Sequence, residues 1–363
     1  MSVRRPSVRW AAPVAAVALI AAGSAVTASA GASTGLPAKT AKQLLVDLQK
    51  VRPMPLSGSV SESVNLGLPA LSFGGAGPSS GLDPMALLSG THTWRVWYAD
   101  AKNARVALVD GSSETDVLRN ATGAWEWSSS SNTATHVDLP SRAGSHSTER
   151  GGAPSLGSGT ELSNPQAVAA WVLGRLDPTT LVTTTTTDTV AGRAAYGLVL
   201  TPRTSTTLVG SVHLSIDAAT SLPLAVQVYA RGSSAAAVDV HFTSLDLGKP
   251  AAEVFRFTPP PGATVKTQTL PAFSKPATTT TGSVTPAKVI GTGWSAVVVG
   301  TMPTTTSTKS SSLALLTRFL PTVSGHWGSG HLLTTALVTA VITNDGRYAV
   351  GSVDPAALYA ALG

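Results

Sequence analysis

From Trp94 to Leu139 apolar and polar positions alternate in five short runs, separated by turn-forming pieces such as Ala101-Lys102-Asn103 and Asp110-Gly111-Ser112. Strands joined so tightly must be antiparallel neighbours. Four of the eight tryptophans, Trp94, Trp97, Trp125 and Trp127, fall in this meander, so a bent sheet with one broad apolar face is expected. Upstream, Pro37 to Arg52 carries Ala41, Leu44, Leu45, Leu48 and Val51 at helical steps and stops at Pro53 and Pro55. From Leu56 to Leu66 the period changes to two, predicting a long strand with one apolar and one hydroxyl-rich face.

Residues 67 to 90 are rich in Gly, Pro and Ser and read equally as a flap beside the sheet or a solvated loop. A second polar loop spans Ser141 to Thr160. Asn164-Pro165 then opens a helix with Ala167, Val168, Trp171, Val172 and Leu176 on one side, ending at Asp177-Pro178. Arg193 to Thr201, Leu208 to Asp217, Leu222 to Ala230 and Ala236 to Leu247 are each of strand length. Ten strands grouped around two helices, rather than alternating with them, point to an antiparallel sheet with helices on one side. The boundaries read as a signal segment at 1–30, a main domain at 36–267, a Thr/Pro linker at 268–287 and a small α+β module at 288–363. That module is expected to hold a strand (Lys288 to Val299), a helix (Ser312 to Leu320), a hairpin turning at Asn344-Asp345-Gly346 and a last helix from Pro355.

Composition narrows the function classes. Residues 1–30 combine Arg4, Arg5 and Arg9, an apolar run from Trp10 to Ala22 and Ala28-Ser29-Ala30, the parts of a cleavable secretory signal; export to the cell envelope, periplasm or exterior is expected. Three cations of the net charge of +6 lie in that segment, and the remainder shows no dense Lys/Arg cluster, so a nucleic-acid partner is not expected. With no cysteine, the chain has no disulfide, thiol nucleophile or thiolate metal site.

Three pieces together resemble the LolA-like superfamily of bacterial envelope proteins, which includes lipoprotein carriers and the N-terminal domain of RseB/MucB-type sigma-factor regulators. They are the amphipathic helix leading into a long alternating strand, the run Asn120-Ala121-Thr122-Gly123-Ala124-Trp125-Glu126-Trp127 with Asn132 to Val137, and the closing Phe255-Arg256-Phe257-Thr258-Pro259-Pro260-Pro261-Gly262. The resemblance covers some 230 residues. It implies a mainly β (α+β) fold, a curved antiparallel sheet forming an incomplete barrel covered by helices, whose apolar hollow receives acyl chains. Carriers of this family have an Arg-Pro step whose arginine locks the helical cover. Here the neighbourhood reads Arg95-Val96-Trp97-Tyr98-Ala99, leaving Arg95 and Arg105 as the residues available for that role.

Other chemistry is weaker. Gly77-Pro78-Ser79-Ser80-Gly81 spells a nucleophile elbow but lies in a glycine-rich loop rather than at a strand-to-helix turn. Gly291-Thr292-Gly293-Trp294-Ser295-Ala296 echoes a dinucleotide fingerprint, yet a valine run follows where the phosphate-binding helix should start. His326 and His331 lack a third ligand nearby, and Asp110, Glu114 and Asp116 flank a hairpin. No enzyme, cofactor or metal is expected. Val60, Val64, Trp94, Val96, Trp125, Trp127 and Leu198 are the candidates to line an acyl cavity, although the same residues could form ordinary core. The expected function is binding of a lipid or lipoprotein acyl chain; the alternative is an RseB-type protein that binds an anti-sigma factor or another envelope partner.

Overall fold

The computed structural model describes residues 36–67, 86–138, 165–174, 176, 178–269, 287–302, 317 and 320–363. The signal segment, the Gly77–Gly81 match, most of the excursion between 67 and 90, the loop at 141–160 and most of the expected helix Ser312 to Leu320 lie outside them.

Helix α1 (Ala41–Lys50) begins at Thr40, whose side chain accepts from the Gln43 amide while the Gln43 side chain accepts from the Thr40 amide. Strand β1 (Leu56–Asn65) follows, then the five-stranded meander: β2 (Ser89–Asp100), β3 (Asn103–Asp110), β4 (Ser113–Asn120), β5 (Gly123–Ser128) and β6 (Thr133–Asp138). Helix α2 (Pro165–Leu173) separates these from β7 (Thr180–Val190), β8 (Arg193–Pro202), β9 (Val209–Asp217), β10 (Pro223–Ala230) and β11 (Ala236–Asp246). A strap with a 3-10 turn at Ala252–Phe255 then leads to β12 (Thr264–Thr269). These twelve strands form one sheet in the order β12-β6-β5-β4-β3-β2-β1-β11-β10-β9-β8-β7. Every pair is antiparallel except β12 with β6. The edges β12 and β7 do not meet, so the barrel is incomplete, although β7 curls back into contact with β11. Strands β7 and β12 add to the ten that alternation predicts.

Both helices lie on one face of the sheet, here the inner face. Leu44, Leu45 and Leu48 of α1 and Val168, Ala169 and Val172 of α2 join Val60, Trp94, Leu198, Leu214, Val240 and Phe242 in one core. Burial of this apolar area is the main force holding helices to sheet. Where β1 and β11 bulge at Ser59/Val60, a side chain at Gly58 would meet the Ser244 carbonyl oxygen at 2.2 Å, so only glycine fits there.

The remaining strands are β13 (Lys288–Ile290), β14 (Val297–Thr301), β15 (Thr322–Gly325), β16 (Gly328–Thr334), β17 (Thr339–Thr343) and β18 (Arg347–Gly351), with α3 (Pro355–Leu362) packed on them. They form a second sheet in the order β13-β14-β18-β17-β16-β15. The single strand expected over Lys288 to Val299 is a hairpin instead. Gly291 turns at φ +80 and a 3-10 turn at Gly293–Ser295 sends Trp294 inward. The hairpin expected over Leu332 to Val350 does turn at Asn344-Asp345-Gly346, as β17–β18, but Leu332 to Thr334 belong to the preceding strand β16.

The second sheet docks on the first. Trp294 and Leu337 enter the large core, and the Trp294 indole N–H donates to Thr180 Oγ1 at 2.8 Å. The Ala336 amide donates to the Leu66 carbonyl and the Leu208 amide to the Ser352 carbonyl, both at 2.8 Å. Leu66, Leu208 and Thr180 sit at one end of the large sheet, so the second sheet docks at that end.

Candidate functional site

At the opposite end a groove of about 550 Å³ runs between α1 and α2 over the inner face. Its walls are Leu48 and Val51 at the end of α1, the Arg52-Pro53-Met54 stretch, and Gln166, Ala167, Ala169, Ala170 and Leu173 of α2. Its floor is Leu56 of β1, Val96 and Tyr98 of β2, Ala104 and Val106 of β3, Leu222, Pro223 and Phe242. The hollow exists because α2 faces the floor with alanines. Close-packed interiors leave no such volume where larger side chains interdigitate. Helix α1 is fixed at its other end, where the Tyr196 hydroxyl donates to the Pro37 carbonyl at 2.9 Å and Lys39 Nζ lies 5.2 Å from the Tyr196 ring centroid.

Of the seven cavity candidates, Val96 lines this groove. Val60, Trp94 and Leu198 are completely buried and Val64 nearly so, packed in the solid core that continues from the groove floor. Trp125 and Trp127 are on the other face. Pairing puts Trp94 opposite Leu108, Leu108 opposite Thr115 and Thr115 opposite Ser128, a row on the inner face. Arg95, Ala107, Asp116, Trp127 and Ala134 form the next row, on the outer face, and Trp97, Arg105, Leu118, Trp125 and His136 form the following row on that same face. There the strap covers them: Phe257 sits 5.1 Å from Trp125 and 6.2 Å from Trp127, ring to ring, and Phe255 is buried beside Leu118 and Ala99. The seven residues thus divide among a groove, a filled core and a second aromatic cluster behind the sheet.

The two arginines considered as locks are also on the outer face. Arg95 is exposed. Arg105 grips Asp116 with a two-pronged contact at 3.2 and 2.6 Å, lies over the Trp97 ring and donates to the Val254 carbonyl at 3.5 Å. The cover it is hydrogen-bonded to is the strap, although Arg105 and Trp97 also border the groove beneath the helices. Asn120 and Asn132 hold the same strap, donating to the Phe255 and Gly262 carbonyls at 3.0 and 2.9 Å.

Among the described residues one ionisable side chain lies within the inner-face core. Glu62, on the inner face of β1, is fully buried; the Trp94 indole N–H donates to its Oε2 at 2.5 Å and Oε1 has no partner. Burial pushes its carboxyl above the ordinary range, outweighing the Trp94 hydrogen bond and the charge of His92. At the groove end, Asp217 is fixed by Arg193 at 2.7 and 3.0 Å and by Thr220. Burial works to raise the Asp217 carboxyl, but these hydrogen bonds together hold it below the ordinary value.

The remaining chemical candidates are dispersed. Trp294 of the glycine-rich match is core, with a turn and a strand after it and no phosphate-binding helix. His331 lies on β16 facing Thr322, and Asp116 is taken up by Arg105. Among the described residues no three His, Cys, Asp or Glu side chains group as metal ligands, and no helix is long and apolar enough to cross a membrane.

The groove walls that sequence reading missed had a faint signal. Leu48 and Val51 were visible as the apolar face of α1, whereas the space above the floor comes from small residues, Ala167, Ala169 and Ala170, which look like unremarkable helix formers.

No protein-family model matches the chain, and no curated protein matches it. Solved structures similar to it include the MucA/MucB complex of Pseudomonas aeruginosa, at 15% identity over 89% of this chain and 96% of that one, with a TM-score of 0.44. A crystal structure of MucB is 16% identical over 88% of this chain and 94% of that one, with a TM-score of 0.42. A LolA superfamily protein from Nitrosomonas europaea is 12% identical over 61% of this chain and 99% of that one, with a TM-score of 0.22.

Proposed function

We propose that this chain is an exported, non-enzymatic protein of the cell envelope that holds a lipid or lipoprotein acyl chain in the groove between α1 and α2. The observation that carries the reading is the groove itself: about 550 Å³, lined mainly by apolar side chains and continuous with the apolar core of the inner face. That volume lies within the range of about 300 to 1,000 Å³ typical of ligand pockets. A methylene is about as large as a water molecule, whose share of liquid volume is ~30 Å³. The groove therefore has room for one long chain, and each methylene buried contributes about 0.8 kcal/mol. Affinity of this kind needs no polar anchor.

Uptake of a fluorescent acyl probe, with native mass spectrometry of protein taken from its own envelope, tests the proposal. Ala170→Trp places a large ring at the exposed rim of the groove and should abolish uptake while leaving the thermal melt unchanged. A wild-type protein that excludes the probe and carries no lipid overturns it.

The second reading, a regulatory protein of the RseB type that binds an envelope partner, is supported by the second sheet. Among the described residues its edge strands β13 and β15 have no outer partner strand, and Val289 on β13 is 62% exposed, the kind of edge that an added strand can pair with. Cutting away residues 283 to 363 would strip Trp294 and Leu337 from the large core, so Ala170→Trp is the cleaner discriminator. Partner capture surviving the loss of acyl uptake would favour this second reading.

A further inference from the structure

We propose that the groove selects a single-chain amphiphile with an anionic end, a fatty-acid anion, and that Arg52 receives the anion; this deepens the acyl-binding reading and rests on it. The twenty groove-lining residues include two formal charges, Arg52 and Arg105, both positive. Arg105 is already neutralised by Asp116 at 2.6 Å, with Glu114 at 3.6 Å. Arg52 is exposed at the rim and has neither a hydrogen bond nor an ion pair with any described residue.

Its place is fixed by its neighbours. The chain leaves α1 at Val51, and Pro53 restricts the residue before it to extended backbone, holding Arg52 at the groove edge. The carbonyl end of α1 and both ends of α2 border the groove, from Gln166 to Leu173, so no single helix end is aimed into it. The charge of the mouth is therefore set by side chains. Lys50 and Arg119 are further exposed cations, and Arg119 stands across from the lining residue Ala104. Glu126, opposite Val117 on the same face, can offset Arg119. Asp47 and Asp217 are engaged by Lys39 and Arg193. Among the described residues Arg52 remains uncompensated, and a guanidinium matches a carboxylate with two parallel hydrogen bonds. An acyl chain lying along Leu48, Val96 and Phe242 brings its terminal group to this rim, and the volume holds one such chain rather than two.

The test measures displacement of the fluorescent probe from the full chain by palmitate and by hexadecanol, at mildly alkaline pH where palmitate is ionised. Wild type should bind palmitate more tightly. Arg52→Ala should weaken palmitate about fivefold, as expected for an exposed ion pair, and leave hexadecanol unchanged. Arg52→Lys should restore most of the loss. Equal binding of both ligands by wild type, or equal weakening of both by Arg52→Ala, overturns the anion preference while the acyl reading stands. Failure of both ligands to displace the probe overturns both.

Discussion

The two halves of the large sheet bury opposite faces. In β7 to β11 the apolar residues point inward, beneath the helices: Leu198, Leu200, Leu214, Leu224, Val240 and Phe242 are all buried to 1% exposure or less. In β4 to β6 the inner row of Val117, Glu126 and Thr135 is partly exposed, and burial moves outward to Leu118 and Ala134 beneath the strap. Alternation with period two is equally compatible with either arrangement, because a strand has two faces and only its covering element decides which is dry. The groove lies where the two regimes meet, on β1 to β3, where the inner face is still apolar but the helices no longer fill it.

Substitutions should separate the halves by size of effect. Leu214→Ala, in the filled half, is expected to destabilise by about 2 to 5 kcal/mol in urea unfolding. Leu173→Ala at the groove wall should cost less than about 1.5 kcal/mol yet weaken acyl uptake, since that side chain is partly exposed already. Phe257→Ala removes the ring between Trp125 and Trp127. We expect a loss of about 1 to 3 kcal/mol and a red shift of tryptophan emission, with acyl uptake unaffected because this cluster lies behind the sheet. Loss of uptake in that variant would mean the two faces are coupled.

The pH dependence should also have two opposite components. Asp217 is held below its ordinary value, so its contribution is present above the ordinary carboxylate range and lost as pH falls through its folded value. Arg193→Gln should weaken that acid sensitivity, the Thr220 hydrogen bonds remaining, at a cost of about 1 to 3 kcal/mol near neutrality, at the lower end because Arg193 is partly exposed. Glu62 is held above its ordinary value, so its contribution is present below the ordinary carboxylate range and lost as pH rises through its folded value. Glu62→Gln should flatten that alkaline limb. A stability profile unchanged in both variants would contradict these assignments. The smallest effect is expected at the surface, where Lys39→Ala, breaking a half-exposed pair with Asp47, should cost less than about 1 kcal/mol by thermal melt.

Much of this was legible in the chain. The five-stranded meander, the long strand after α1 and the helix opening at Pro165 follow from periodicity and stop signals. Strand β7 was not, because Thr183 to Thr187 is β-branched throughout and shows no alternation, and β12 is a polar edge strand paired, among the described residues, only with β6. Placing Trp125 and Trp127 with Trp94 required knowing the parity across three hairpins, which a sequence does not state. Arg105 looked available as a lock for the helices, yet the same parity puts it on the strap. A groove formed by missing side-chain volume leaves even less trace, since Ala169 and Ala170 act by what they do not fill.

The central claim, an acyl chain seated between α1 and α2, is tested most directly by solving the structure of the protein saturated with a bromine-labelled fatty acid. The bromine should lie over Val96 and Phe242, between Leu48 and Leu173. Bromine found only on the exterior, with the groove empty or closed by its own side chains, would contradict the account.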